Sequence, residues 1–216
     1  LLQVYPFYSK IVIIEEGASY LMLTRILNGE FIEIDVNGNL CLNYFDTCKT
    51  PLMASQTEFV VNFLVCMCGH SKDDEIIQDR AAMLTHYVTK AYQFAFLDWK
   101  ATHVEILPEI ARKALTIEWM IPNQPSGRNT SLDCFFDLRD ALEKVPGARN
   151  TVEKNIVEHY ENLSELKVNE YIMESPTLLR DIAYAYMEPE HMPYHSQIVE
   201  MIRSTPIFFM PKILAR

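Results

Sequence analysis

Two cysteines and a histidine stand close together in the run Cys66-Met67-Cys68-Gly69-His70. Thiolates and an imidazole are ligands that zinc prefers, and a fourth ligand would come from Cys41, Cys48 or Cys134. However, C-x-C-x-H is not a common zinc spacing, and side chains two residues apart on a helix point about 200° apart. Cysteine is also among the most buried residue types. We therefore interpret these cysteines as core residues and predict no metal site.

A second pair of potential ligands, His191 and His195, has the four-residue spacing of a helical two-histidine site. Pro193 lies between them and interrupts a helix, and no Glu completes an H-E-x-x-H motif. We therefore predict that the two histidines lie in a solvated loop with Glu188 and Glu190. The G-x-S-x-G pattern of a nucleophile elbow is also absent, so the sequence identifies no catalytic residue.

The composition excludes several other kinds of chemistry. Only 6 of the 216 residues are Gly, and none of their spacings fits a P-loop or the G-x-G-x-x-G fingerprint. This stretch therefore lacks both common ways of holding a nucleotide phosphate. Lys and Arg total 19 against 29 Asp and Glu, for a formal charge of -10. Because phosphate contacts need clustered cations, this balance argues against direct nucleic-acid binding.

Other features bear on the cellular setting of the chain. Five cysteines without a framework spacing indicate reduced, cytosolic thiols. The sequence contains no run of about 18 apolar residues, so we predict no transmembrane helix. The opening residues LLQVYPFYSK contain no Met and no signal-peptide pattern. We interpret the chain as an internal segment of a longer protein.

Residues 1–50 have the pattern of a small α/β segment. The run Ile11–Ile14 is β-branched and is followed by Glu15-Glu16-Gly17, which is typical of a buried strand. Asn37-Gly38 between two alternating runs is a strong hairpin signal. In chain order, the predicted elements are a strand over 11–14, a short helix over 18–28, and a hairpin with strands over 31–36 and 40–45.

Residues 51–216 are almost entirely helical in pattern, and we predict one helical region there. The segment 56–68 is apolar on most sides, which predicts a buried helix ending at Gly69. The loop between 123 and 130 is the clearest in the chain. The remaining predicted helices cover 73–96, 108–120, 131–145, 149–171 with a break near Ser164, 176–187 and 194–203.

The stretch IVIIEEGASYLMLTRILNGEFIEIDVNGNLCLNYF, residues 11–45, resembles part of the conjugative-transfer and type IV secretion ATPases of the TraC/VirB kind. In that family a strand ends in an acidic residue and is followed by Gly, Ser-Tyr, a short helix, Gly, an F-I-E-I strand and L-N-P-F. The matching positions are Glu15 or Glu16, Gly17, Ser19-Tyr20, Gly29, Phe31–Ile34 and Leu42–Phe45. The chain departs from the family in having Glu rather than Asp at the strand end, and Tyr44 rather than Pro.

The resemblance implies a fold class of α/β, predominantly helical. Residues 1–50 would form the edge of a RecA-like P-loop NTPase sheet with a β-hairpin, and residues 51–216 a large helical insertion. The segment would begin after the Walker A loop and stop before the Walker B strand, so the catalytic residues are expected outside it. Because ligands of open α/β sheets bind at the carboxyl ends of strands, Glu15, Gly17 and Ser19 would lie near the nucleotide.

The resemblance also implies what the parent protein does. It would be a hexameric motor that hydrolyses ATP with Mg²⁺ and energises conjugative DNA transfer or type IV secretion. It would work in the bacterial cytoplasm, at the inner face of the inner membrane, beside other secretion-system components. The helical region would contact neighbouring subunits rather than DNA.

Two alternatives remain open. Ile11–Glu16 also fits a Walker B strand, in which one carboxylate orients a water of Mg²⁺ and the next polarises the attacking water. The chain as a whole also fits a non-enzymatic helical protein-interaction module with a β-hairpin start. The functional surface of such a module would be a groove between amphipathic helices.

Overall fold

The computed structural model describes residues 13, 19–32, 43–69, 73–123 and 130–204. Its contacts divide the chain into two units, Leu1–Leu42 and Asn43–Arg216. In the first unit, helix α1 (Leu21–Ile26) lies inside the predicted helix 18–28. It ends where Asn28 adopts a left-handed φ of 53° and the Gly29 N–H donates to the Thr24 carbonyl at 2.8 Å.

The predicted RecA-like sheet edge and β-hairpin are wrong, because the described residues contain no strand and are predominantly helical. Ile13, Phe31 and Ile32 form no strand, and the end of the second hairpin strand, 43–45, turns instead. The other residues of the predicted strands, 11–12, 14, 33–36 and 40–42, lie outside the described ranges.

The backbone of Phe45 shows why its segment is not a strand. Its carbonyl accepts a hydrogen bond from the Tyr92 hydroxyl at 3.0 Å, and its N–H donates to the Asn43 side chain at 3.2 Å. Both groups that a strand would offer to a neighbouring strand are therefore bonded to side chains. The Asp46 N–H closes a turn onto the Asn43 carbonyl at 3.0 Å.

All regular secondary structure in the described part of the second unit is helical. Its helices are α2 (Ala54–Met67), α3 (Asp74–Thr102), α4 (Leu107–Asn123), α5 (Ser131–Glu143), α6 (Thr151–Glu161), α7 (Glu165–Glu174), α8 (Thr177–Ala183) and α9 (His195–Arg203). Short 3₁₀ turns cover Pro146–Ala148 and Pro189–His191. None of the helices within these ranges has both the length and the hydropathy needed to cross a bilayer.

Side-chain caps fix several of the helix starts. The carboxylate of Asp73 accepts from the Glu75 N–H at the start of α3, and Asn150 forms a capping box with Glu153 at the start of α6. Ser164 caps α7 by accepting from the Lys167 N–H. The predicted break of the 149–171 helix near Ser164 is therefore confirmed, because a residue that caps one helix cannot continue another.

Two long helices organise the core of this unit. One face of α3 is buried against α2, α8 and α9, and α4 packs on α5, α6, α7 and α8. One face of α4 has no exposed surface. Its residues follow each other at intervals of one turn or less: Ile110, Ala111, Ala114 and Ile117. The small Ala side chains let neighbouring helices approach α4 closely.

Buried hydroxyl groups hold the segment 43–52 against this core. Tyr92 donates to the Phe45 carbonyl, Tyr184 donates to the Tyr92 carbonyl at 2.5 Å, and Thr47 donates to the Tyr184 carbonyl at 3.2 Å. Burial raises the pKa of both tyrosines well above the usual value of a phenol, so both stay protonated donors at neutral pH. The Leu52 N–H adds a bond to the Asp181 carbonyl at 2.8 Å.

We expect Tyr92→Phe to lower the free energy of unfolding by about 1–3 kcal/mol, because it leaves the Phe45 carbonyl buried without a donor. Urea denaturation followed by circular dichroism measures this change. Tyr160→Phe is the matched control: the Tyr160 hydroxyl makes no hydrogen bond within the described ranges, so its loss should change stability by less than about 0.5 kcal/mol. Equal effects of the two substitutions would contradict the assigned role of Tyr92.

Candidate functional site

Helix α2 presents a line of large apolar side chains to solvent. Phe59, Phe63 and Met67 are 53%, 40% and 55% exposed, and their four-residue spacing puts them on one face of the helix. The Phe59 and Phe63 rings stack with their centroids 6.3 Å apart. We call these three residues the α2 apolar face. Such a continuous exposed apolar row is typical of an interaction surface.

Tyr44 extends the α2 apolar face toward α9. Its ring centroid lies 4.8 Å from that of Phe63, and its hydroxyl lies 2.5 Å from Nδ1 of His195, the first residue of α9. Partial burial raises the pKa of Tyr44 to about 12, so the phenol is neutral at physiological pH. The surface thus gains an aromatic ring without gaining a charge.

Polar contacts of the backbone hold Tyr44 in this place. Gln56, in the first turn of α2, donates from Nε2 to the Tyr44 carbonyl at 3.1 Å. Asn43 donates to the carbonyl of Pro193, two residues before α9, at 2.9 Å. The Phe45 ring is buried at the same time, with its centroid 5.6 Å from that of Tyr92. Phe45 therefore faces the core, and the adjacent Tyr44 faces the surface.

The α2 apolar face is almost free of charge. Of the 14 residues in α2, Glu58 is the one Asp, Glu, Lys or Arg. The chain as a whole has a net charge of -10. Desolvating α2 against a partner therefore requires little removal of charge from water, in contrast with most of the acidic surface.

The predicted burial of the 56–68 helix is correct on one side only. Val60, Val61 and Leu64 are buried, and they are covered by α3, the one described helix that packs extensively on α2. The sequence pattern alone does not distinguish Phe59 and Phe63, which are surface residues, from the buried residues of this helix. The sequence does show that this helix is apolar on most sides. A single packed neighbour, α3, cannot cover all of these sides, so some of the apolar residues must stay exposed.

Of the predicted nucleotide-proximal residues, the structure places Ser19 alone. Ser19 is exposed in a turn just before α1, whereas Glu15 and Gly17 lie outside the described residues. With one of the three described, their proximity to a nucleotide stays a prediction.

The two cysteines of the 66–70 run differ in burial, and Cys68 packs against the core. Cys66 is exposed and Cys68 half-buried, so their interpretation as core residues is wrong for Cys66, while His70 lies outside the described residues. Helix α2 turns Cys66 outward because its buried side is taken by residues such as Leu64. Cys134, inside α5, is fully buried. Among the residues that the structure places, there is no group of three or more His, Cys, Asp or Glu side chains that could hold a metal ion.

His191 and His195 contact different partners. The His191 ring meets the His103 ring edge-on at 5.1 Å, whereas His195 contacts Tyr44. The predicted loop contains a 3₁₀ turn over Pro189–His191, and Glu188 pairs there with Lys49 at 2.9 Å. The four-residue spacing thus joins the end of a 3₁₀ turn to the start of α9 and not two positions of one helix.

We expect thiol labelling of the native chain to distinguish the exposed Cys66 from the buried Cys134. Burial and the carboxylates of Asp137 and Asp133 raise the pKa of the Cys134 thiol, which lowers its reactive thiolate fraction. Iodoacetamide followed by peptide mass spectrometry should modify Cys66 and leave Cys134 unmodified until urea unfolds the chain. Equal labelling of the two in the native chain would contradict the placement of α2 and α5.

Comparison with known proteins adds no relative to this description: no family model, curated protein or solved structure matches the chain. The function is therefore inferred from the side chains of the described residues.

Proposed function

We propose that residues 43–204 form a helical protein-interaction module that binds a second copy of the chain through the α2 apolar face. The observation that carries this proposal is the exposed row of Phe59, Phe63 and Met67, extended by the Tyr44 ring. The module has the helical body of the alternative derived from the sequence, without its hairpin start.

The physical argument starts from the side chains themselves. Aromatic residues and Met are enriched in the buried centres of protein interfaces, and burying a Phe or Met fully stabilises a contact by about 1.5–3 kcal/mol. Three such residues in a row supply a hydrophobic centre. Contact between the Phe59 and Phe63 rings, and between Phe63 and Tyr44, already restricts these side chains. Less conformational entropy is therefore lost on binding.

Charge favours a second copy as the partner. Two acidic chains repel each other over most of their surfaces, and the repulsion is weakest where each presents a face with one carboxylate, Glu58. A two-fold axis beside α2 would place each α2 apolar face against the same face of the other chain. This arrangement agrees with the expectation that the helical region contacts neighbouring subunits of an oligomer.

We expect the 216-residue chain to self-associate in sedimentation velocity, and the double variant Phe59→Ser, Phe63→Ser to associate at least about 100-fold more weakly. Leu166→Ser is the matched control: Leu166 is also exposed, but it lies on α7, which packs on α4 rather than α2. Its association should equal that of the wild type. A wild-type chain that stays monomeric at every accessible concentration would overturn the proposal, as would equal losses in both variants.

The wider assignment to a secretion ATPase remains a separate prediction about the parent protein. It rests on the resemblance of residues 11–45, about half of which lie outside the described ranges. It includes ATP and Mg²⁺ as cofactors, a hexameric assembly, and a place at the inner face of the bacterial inner membrane. The contradicted sheet edge is no longer part of it.

The coding sequence upstream of Leu1 tests this assignment. A G-x-x-x-x-G-K-[ST] motif leading into a helix shortly before residue 11 is the expected result, since that loop cradles the nucleotide phosphates in such motors. A start codon close to Leu1 with no such motif would end the ATPase hypothesis. It would leave the proposal for the α2 apolar face unchanged.

A further inference from the structure

A second surface, formed by α4, α6 and α7, has different chemistry. A groove of about 540 Å³ lies among α4, α6 and α7. We call it the α6 groove. Its lining residues are Trp119, Asn155, Glu158, His159, Asn162, Leu163, Ser164 and Lys167. Its volume falls within the usual range of ligand sites.

An aromatic platform forms part of the wall. The Trp119 indole of α4 stacks on the His159 imidazole of α6, with centroids 4.5 Å apart and planes 11° from parallel. Nδ1 of His159 is buried and has no hydrogen-bond partner within the described residues. Buried polar atoms of this kind are rare, and a ligand group or water commonly satisfies them. Burial and the charge of Lys167 lower the pKa of His159, so the ring is neutral at pH 7.

Two amide side chains follow the groove along α6. Asn155 and Asn162 are seven residues apart and flank His159, and both are exposed. Seven residues of helix rise about 10 Å, which equals three residues of an extended chain. Each amide offers a donor and an acceptor, the pair that a peptide group requires. Neither side chain forms a hydrogen bond within the described ranges, so both are available to an extended peptide.

The charge at the α7 end of the groove favours a carboxylate. Lys167 lies in the first turn of α7, where the helix dipole adds positive potential, and it forms no ion pair with another described residue. The nearest acidic residue of that turn, Glu165, is paired with Arg112. Arg112 also donates to the Leu163 carbonyl at 2.8 Å, which fixes the groove wall. Glu158, farther back along α6, disfavours a run of several acids.

We propose that the α6 groove binds an extended peptide segment of a partner protein, with Asn155 and Asn162 bonding its backbone and Lys167 pairing with one Asp or Glu side chain. This site is independent of the proposed self-association, because α2 packs on α3 whereas the groove belongs to α4, α6 and α7. Either proposal can therefore fail without the other.

The test uses the full 216-residue chain and a displayed library of random heptapeptides. Selection on the wild type, with counter-selection on the Asn155→Ala, Asn162→Ala variant, should enrich peptides that share one acidic position. Asn155 is exposed on α6, where Ala favours helix, and Asn162 is the exposed residue that follows the end of α6, so this variant should keep the fold. Circular dichroism and the urea midpoint verify that it does.

Fluorescence anisotropy with a selected peptide then measures each contact. Each Asn→Ala change should weaken binding about 2- to 10-fold, the usual effect of one lost hydrogen bond. Lys167→Gln should weaken the acidic peptide but leave its Asp→Asn or Glu→Gln counterpart unchanged. Asn169→Ala, an exposed change on α7 outside the groove, is the matched control and should have no effect.

Three results would overturn the proposal. The first is a library that yields no enriched peptide on the wild type. The second is enrichment of peptides that bind the Asn155→Ala, Asn162→Ala variant as well as the wild type. The third is a set of enriched peptides without a shared acidic position, or a Lys167→Gln effect that is the same for acidic and amide peptides.

Discussion

The hydrogen bonds of two buried tyrosines determine how the rest of the helical unit is arranged. Tyr92 bonds the Phe45 carbonyl, and Tyr184 bonds the Tyr92 carbonyl, so that three distant parts of the chain meet in one place. Both hydroxyls are buried, where an unpaired donor or acceptor costs more than it does at the surface. The segment that enters α2 therefore has one register against α3 and α8.

This register also produces the α2 apolar face. With Phe45 held inward by Tyr92, Tyr44 lies outside, in contact with Phe63 and His195. A shift by one residue would bury Tyr44 and expose Phe45, and the aromatic row along α2 would lose its continuation toward α9. The proposed interaction surface thus depends on a core hydrogen bond that no surface residue makes.

The sequence predicts the helices well because their limits are local. Caps such as Asp73 and Ser164 bond N–H groups two or three residues away, so a short window contains the whole interaction. The predicted strand end at 43–45 is wrong because the group that bonds its backbone in place of a neighbouring strand lies far away in the sequence. The Tyr92 hydroxyl that takes the Phe45 carbonyl is 47 residues away. The α6 groove, made by three helices, was equally beyond a local pattern.

The two proposed surfaces differ in a way that suits different kinds of contact. The α2 apolar face consists of two aromatic rings and a Met side chain, so binding there must be stabilised by the apolar area that it buries and not by directed polar bonds. The α6 groove carries amides and Lys167 around a Trp119–His159 platform, so its strength depends on directed bonds to one chain conformation. The first arrangement suits a persistent contact between copies, and the second a selective, reversible contact with a peptide. Since α3 supports one and α4 the other, a single helical unit has room for both.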